Sequence, residues 1–533
     1  MMNIKINQNI YLLILGIFFL LIVFYLNPNL FILDIKYIKH WTTYHHDDIV
    51  FVYNSLLYAE GLDQHHTDHP SLFTFIIFPF FYKLAFYLGF IDFYDLSGFL
   101  ITNDINFALS KLFFISRLCI QLFSLGIIYI FYKIIIKYTS NNISAFFLTF
   151  CLIISTGFSS SSNRIESGLI AVFFILLAFY LFLKFLEKKD KKNLVYLMLV
   201  FLLIFSGMMQ KKIIYFTLPF LFISSLMFLK QNKIEYSDYK ILNSSFLNYK
   251  YFLFIPFLLI FLFISYKTVI NNTFFLDRDL DFIFLIANYS GFNLLFFLYI
   301  RNYQDHYYKN LLTYNILFGC TYFLYKYFLI YFFSAPIGIW SISFTNFLGH
   351  LNMFTSSESI KDEFNFGSLY LYFKDFVENL KLVILKYFFT LSFQSLLIWL
   401  NAILYLFVFK KIKLKVKLSI YTLLIGFLFI QSVILFRYEQ DTYFLNSEFF
   451  LLFSLAILLK YFETNIKSLI ISCTFLILLI FSNIEHFDKI KTNNRISYCL
   501  SFEDFDRTDM FYQYWTSKIP LEKRKEFCND YLY

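Results

Sequence analysis

The residues best suited to chemistry crowd into one stretch, 40–71, which reads HWTTYHHDDIVFVYNSLLYAEGLDQHHTDHPS. Six of the nine histidines fall there, at His40, His45, His46, His65, His66 and His69, together with Asp47, Asp48, Asp63 and Asp68. Two adjacent carboxylates can take a proton from an attacking hydroxyl. A second chemistry is metal binding. His45, His46, His65, His66 and His69 with Asp68 make a donor set suited to Zn²⁺ or Mn²⁺, although the spacing matches no closed template. Two plainer roles stay open. Carboxylates are favoured at a helix start by its dipole, and imidazoles in such a loop can bond lipid head groups.

The elements that must position this stretch are apolar. Hydrophobic residues make up 59% of the 533 residues and charged ones only 15%, with a mean hydropathy of +0.63. So little polar surface cannot cover so much apolar surface in water, so lipid is the solvent for most of the chain. Runs of about 18 or more apolar residues recur along it, the pattern of transmembrane helices. The expectation is an all-α polytopic membrane protein of about thirteen spans. They fall roughly at 10–32, 112–132, 143–158, 168–184, 193–209, 213–229, 251–267, 282–300, 310–333, 387–409, 418–436, 445–460 and 468–483.

The net charge of +9 does not point to nucleic acid, because the lysines sit in short loops and form no continuous basic face. They set orientation instead. With the N-terminus inside, the clusters Lys188, Lys189, Lys191, Lys192 and Lys410, Lys411, Lys413, Lys415, Lys417 all face the cytoplasm. Stretches 40–71, 159–167, 334–386, 437–443 and the tail then lie outside. Segment 72–90 is apolar, but crossing there would invert every later loop. It reads as a helix lying in the outer interface. The first helix, too long for a signal peptide and lacking a small-residue cleavage site, reads as a retained anchor. Four cysteines, Cys119, Cys151, Cys320 and Cys473, lie in apolar spans as inert filler. Cys499 and Cys528 lie in the tail, where an oxidising space permits a disulfide. The organisation is a membrane domain, 1–483, with an outer loop at 33–110 and a lid candidate at 334–386, followed by a small outer tail, 484–533.

Within the loop, 48–60 has helical character and Gly61 is placed to end it. The motif HDDIVFVYNSLLYAEG resembles the first outer loop of the GT-C glycosyltransferases, the group that includes protein O-mannosyltransferases and lipid A aminoarabinose transferases. The acidic pair Asp47–Asp48, Tyr53 or Tyr58, and Gly61 carry the likeness, and the DHPS step at 68–71 resembles the lead into the family's interface helix. The resemblance implies a glycosyltransferase acting outside a bacterial inner membrane. Its donor would be a polyprenyl-phosphate sugar and its acceptor a lipid, glycan or protein. Phosphate is already a good leaving group, so one carboxylate suffices to deprotonate the acceptor. Asp47 matches the family's first acidic position and is the expected base. Asp48 orients it or takes its role.

Other stretches resemble further family elements. Arg164 and Glu166, in the outer turn SSSSNRIES, match a second acidic site usually written R-x-D. Lys211 and Lys212, after GMMQ, would face the outer leaflet against the positive-inside trend, which points to phosphate binding; a snorkelling lysine is the ordinary alternative. Arg437 and Tyr438 resemble an outer RY step, and an arginine there can clamp a phosphate. Arg117 and Lys326 sit inside apolar spans, where any charge is a functional candidate. Two rival activities remain, a transporter or flippase for a lipid-linked glycan and a glycan polymerase or ligase.

Overall fold

The computed structural model describes residues 8–26, 46–62, 71–102, 105–187, 193–208, 210, 214–228, 366–434, 444–462 and 466–493. They form fifteen helices and, among the described residues, no strand. In chain order these are α1 (Gln8–Leu26), α2 (His46–Glu60), α3 (Leu72–Tyr87), α4 (Leu96–Ile101), α5 (Ile105–Thr139), α6 (Asn142–Ile153), α7 (Thr156–Ser162) and α8 (Ser167–Glu187). They continue with α9 (Asn193–Met208), α10 (Ile214–Phe228), α11 (Phe366–Phe389), α12 (Phe393–Val408), α13 (Leu414–Ile434), α14 (Phe444–Tyr461) and α15 (Ile466–Asn493).

Five stretches among the described residues are long and apolar enough to cross a bilayer: Gln8–Leu26, Lys111–Thr139, Ser167–Phe185, Leu414–Val433 and Phe444–Tyr461. The number rises to seven if each of two bent pairs counts as one span. Helix is thus the only regular structure among the described residues, and several of the helices are of membrane length. Of the thirteen expected spans, 251–267, 282–300 and 310–333 lie outside the described residues. Of the expected spans 193–209 and 213–229, the described residues are α9, with 16 residues, and α10, with 15.

α1 packs along one side only. Only a narrow stripe, Leu15, Phe19, Val23 and Leu26, is buried, while Leu13, Ile17, Leu21 and Phe24 are exposed. Its inner stripe lies on α5 and α6, where Phe18 stacks on Phe150 with ring centroids 4.1 Å apart. α14 is the opposite case, with Phe444 through Leu458 buried on every side, enclosed by α5, α6, α7, α10, α12 and α13. A helix apolar all round belongs in a bundle centre. Lipid tails are as apolar as leucine, so close packing and inter-helix hydrogen bonds hold such a bundle, each bond contributing about 0.6 kcal/mol. Ser224 with Ser419 (2.9 Å), Tyr387 with Gln431 (3.1 Å) and Asn401 with the Leu451 carbonyl (3.2 Å) are of this kind.

Two expected spans are broken. In 143–158 the helix stops at Ile153, Ser155 caps the new start, and α7 leaves at 62° to α6. The Ser155 hydroxyl supplies the break by accepting the Phe158 N–H at 3.3 Å, which competes with helix continuation. Similarly, 387–409 divides into α11 and α12, bent by 79° at Thr390–Ser392, with Ser392 capping α12 through the Ser395 N–H. Residues 366–389, placed by sequence largely in a loop, are a 24-residue helix against α13. α2 ends as its sequence predicts. Gly61 takes φ +78, and the Leu62 N–H reaches back to the Leu57 carbonyl at 2.9 Å, a closure that favours glycine.

Candidate functional site

Asp47 and Asp48 lie in the first turn of α2. The Asp47 side chain is outside the described residues, but that of Asp48 is 1% exposed. Its Oδ1 accepts the Ile165 backbone N–H at 3.0 Å, so the start of α2 is tied to the segment between α7 and α8. That segment is the RIE motif. Glu166 is buried beside Ile165, and Arg164 is half-buried. Further along α2, Tyr53 is also buried. Burial pushes its phenol up to about 12, which keeps it protonated, and able to donate, at neutral pH.

The sequence places Ser159–Ser162 in a turn between two apolar spans. The structure puts these serines in α7, all buried. Each polar atom there must find a partner inside. Ser159 and Ser162 hydroxyls donate back to the carbonyls of Thr156 and Ser159, both at 3.2 Å. The Ser162 carbonyl accepts Gln121 Nε2 from α5 at 2.6 Å, and Asn163 Nδ2 donates to the Ser159 carbonyl at 2.8 Å. Arg117, one turn before Gln121 on α5, is buried with its guanidinium 5.4 Å from the centroid of Phe113. Its neighbour Ser116 bonds the Tyr82 hydroxyl of α3 at 2.6 Å.

The other end of α7 is held as firmly. Both carboxylate oxygens of Glu448, on α14, accept the Gly157 N–H at 3.1 Å, and Oε1 also accepts Gln394 Nε2 from α12 at 2.8 Å. The carboxylate faces the positive end of the α7 dipole. α15 closes the far side. Thr156 Oγ1 donates to Asn483 Oδ1 at 3.1 Å, Asn483 Nδ2 donates to the Ile154 carbonyl, and His486 Nε2 lies 3.3 Å from both Ser159 Oγ and Ser160 Oγ. α15 runs past 483, where the sequence places the start of the tail, and the contacts of Asn483 and His486 straddle that point.

The expected phosphate-binding turn meets the start of α3. The α3 N-cap, Ser71, makes no capping bond with its own side chain. Gln210, fully buried, does it instead: Oε1 accepts the N–H groups of Phe73 (2.9 Å) and Thr74 (3.4 Å), and Nε2 donates to Thr74 Oγ1 at 2.8 Å. Lys211 and Lys212 follow directly, but lie outside the described residues. So do His45, His65, His66, Asp68, His69, Lys326, Arg437 and Tyr438, and the His46 side chain. The metal donor set therefore falls there too, and the described residues hold no group of three His, Cys, Asp or Glu that could bind a metal.

Asp48, Arg164 and Glu166 are thus brought together, with Arg117 on the neighbouring helix. Sequence reading missed Gln121, Asn163, Gln210, Gln394, Glu448, Asn483 and His486. A signal existed for Gln121, a polar group inside an apolar run, and for Glu448, a charge within an expected span, since such groups cost several kcal/mol in lipid unless bonded. None existed for the rest, whose neighbours are already polar.

Compared with protein-family models, curated proteins and solved structures, the chain has no match.

Proposed function

We propose that this chain is a membrane glycosyltransferase that moves a sugar from a polyprenyl-phosphate carrier to a hydroxyl on a lipid, glycan or protein outside the cytoplasm. What supports the reading is the bond between Ile165 N–H and Asp48 Oδ1. It joins the acid pair of the first loop to the Arg164–Glu166 motif, two elements that the resemblance needs in one place and that sequence alone leaves far apart.

The chemistry runs as one displacement. The acceptor oxygen attacks C1 of the sugar and loses its proton to the Asp47 carboxylate. The C1–O bond to phosphate breaks, and the phosphate leaves with the electron pair, still carrying its lipid. Attack from the face opposite the phosphate inverts C1. With one oxygen engaged by the backbone, Asp48 is a positioning residue that fixes the angle at which α2 presents Asp47. Glu166 shares that anchor. Lys211, Lys212, Arg437 and Tyr438 supply charge and donors to the departing phosphate, and Tyr53 remains a neutral donor.

The test is transfer from undecaprenyl-phosphate mannose, glucose or galactose to a lipid or glycan acceptor in nanodiscs. Asp47→Asn should lower turnover by about a hundredfold or more, and Asp48→Asn by less. Full activity in both variants removes the base assignment. A transporter remains the second reading, because α6 and α7 form a broken helix, a feature on which transporters build substrate sites. Movement of a labelled lipid-linked sugar with no new glycosidic bond would select it.

A further inference from the structure

The turn between α12 and α13 carries more charge than its two helices can use. Residues 410–417 read KKIKLKVK, and no Asp or Glu occurs between Glu378 and Glu439. Lys410 and Lys411 follow the C-terminal end of α12, where the helix dipole favours cations. Lys413, Lys415 and Lys417 instead crowd the N-terminal end of α13, where the dipole opposes them. The turn itself is well held. The Lys411 N–H donates to the Val408 carbonyl at 2.8 Å, and the Val416 and Lys417 N–H groups donate to the Lys413 carbonyl at 3.0 and 3.1 Å. Ile412 and Val416 are buried and peg the turn to the core, while Lys410, Lys411, Lys413 and Lys415 are exposed. Lys417 lies on the Phe409 ring, 3.4 Å from its centroid. Apolar surface adjoins these charges. Leu406 and Phe407, at the end of α12, and Leu414 and Leu418, at the start of α13, are all exposed. α14 adds a lysine at the same end. Phe407 meets Phe462 edge-on at 6.1 Å, which sets the end of α14 beside the turn, and Lys460 rests on the Phe228 ring of α10 at 4.8 Å.

We propose that this turn binds the head groups of anionic phospholipids, whose acyl chains lie along the exposed flank of α12 and α13. Charge complementarity selects an anion. The apolar flank selects a lipid, since a soluble anion would leave Leu406, Phe407, Leu414 and Leu418 in contact with nothing. A phosphate at this end also offsets the repulsion between the lysines and the α13 dipole. α13 is itself of membrane length, so its end is where head groups lie. In the orientation expected from the lysines, the leaflet there is the cytoplasmic one, whose anionic lipids attract such clusters. The inference does not depend on the glycosyltransferase reading.

The experiment is lipid titration of the full chain in detergent, read by native mass spectrometry, with phosphatidylglycerol, phosphatidylcholine and glycerol phosphate. The wild type should bind phosphatidylglycerol about tenfold or more tightly than phosphatidylcholine, since each lysine near an anionic head group contributes about fivefold. Added salt should narrow the gap. The combined variant Lys410→Gln, Lys411→Gln, Lys413→Gln and Lys415→Gln should lose the preference and keep the unfolding midpoint measured without lipid. The control is Lys374→Gln with Lys381→Gln, two exposed lysines of α11, which packs on the other half of α13. It should keep the preference. Equal affinity of the wild type for the two lipids overturns the proposal, and so does a preference that survives in the four-lysine variant. Competition by glycerol phosphate at the lipid's own concentration overturns it as well, because that marks a site for soluble anions. Should the four-lysine variant fail to fold, Lys413→Gln and Lys415→Gln alone decide, each expected to weaken phosphatidylglycerol about fivefold, and unchanged affinity in both sinks the idea.

Discussion

Replacing Gly157 by alanine is the sharpest test of how α7 is held. A Cβ at that position would lie 2.1 Å from the Leu445 nitrogen, 2.5 Å from Leu445 Cα and 2.7 Å from the Phe444 carbonyl carbon. All three are backbone atoms of α14, so no side chain can rotate away. Relief requires α7 and α14 to part until the closest pair reaches ordinary contact at 3.4 Å, a gap of about 1.3 Å in a core that resists such overpacking. The bonds from Gly157 N–H to Glu448 now measure 3.1 Å, and an opening of that size takes them beyond hydrogen-bond range. Overpacking costs about 1–3 kcal/mol, and loss of a buried bond to a charged group about 1.5–3 kcal/mol. The sum is about 2.5–6 kcal/mol. The assay is the unfolding midpoint of the purified protein in detergent, with Gly16→Ala as control. A Cβ at Gly16 meets only Leu125 Cδ2 at 3.9 Å, so that variant should unfold no lower than the wild type. If Gly157→Ala unfolds at the wild-type midpoint, α7 does not lie against α14 in this way, and the buried-serine site fails with it.

The other predictions are smaller. Gln210→Ala should strip the first turn of α3 of its cap, at about 1–2 kcal/mol, seen as faster amide exchange at Phe73 and Thr74 with α14 unchanged. Equal exchange there would mean that the turn after α9 does not hold α3. Tyr53 gives a pH signature. Its phenol is raised from 10.0 to about 12, so below pH 10 it is protonated both folded and unfolded and stability is flat. As pH rises from 10 to 12 the unfolded chain ionises first, and stability falls through that window. Tyr53→Phe should show a shallower fall between pH 10 and 12, and parallel curves for the two proteins would show that Tyr53 is not buried.

Much of the class was legible in the chain itself. Apolar run length is a local property, and it is enough to make α1, α5, α8, α13 and α14 membrane-length helices. The start and end of α2 were local too, since the acid pair favours a helix start and Gly61 can take the positive φ that closes the end. The break between α6 and α7 was not, because hydropathy averages over Ser155 and treats 143–158 as one run. The buried state of Ser159–Ser162 was hidden for a related reason. A serine run reads as solvated unless its partners are known, and those partners, Gln121 and His486, lie on other helices. Glu448 shows the division best. Its sequence places one carboxylate in an apolar span, but whether that charge is tolerable depends on Gly157 and Gln394, and the first of these is 291 residues away. Lipid offers a buried polar group nothing, so only the packing of distant helices decides which such groups are satisfied.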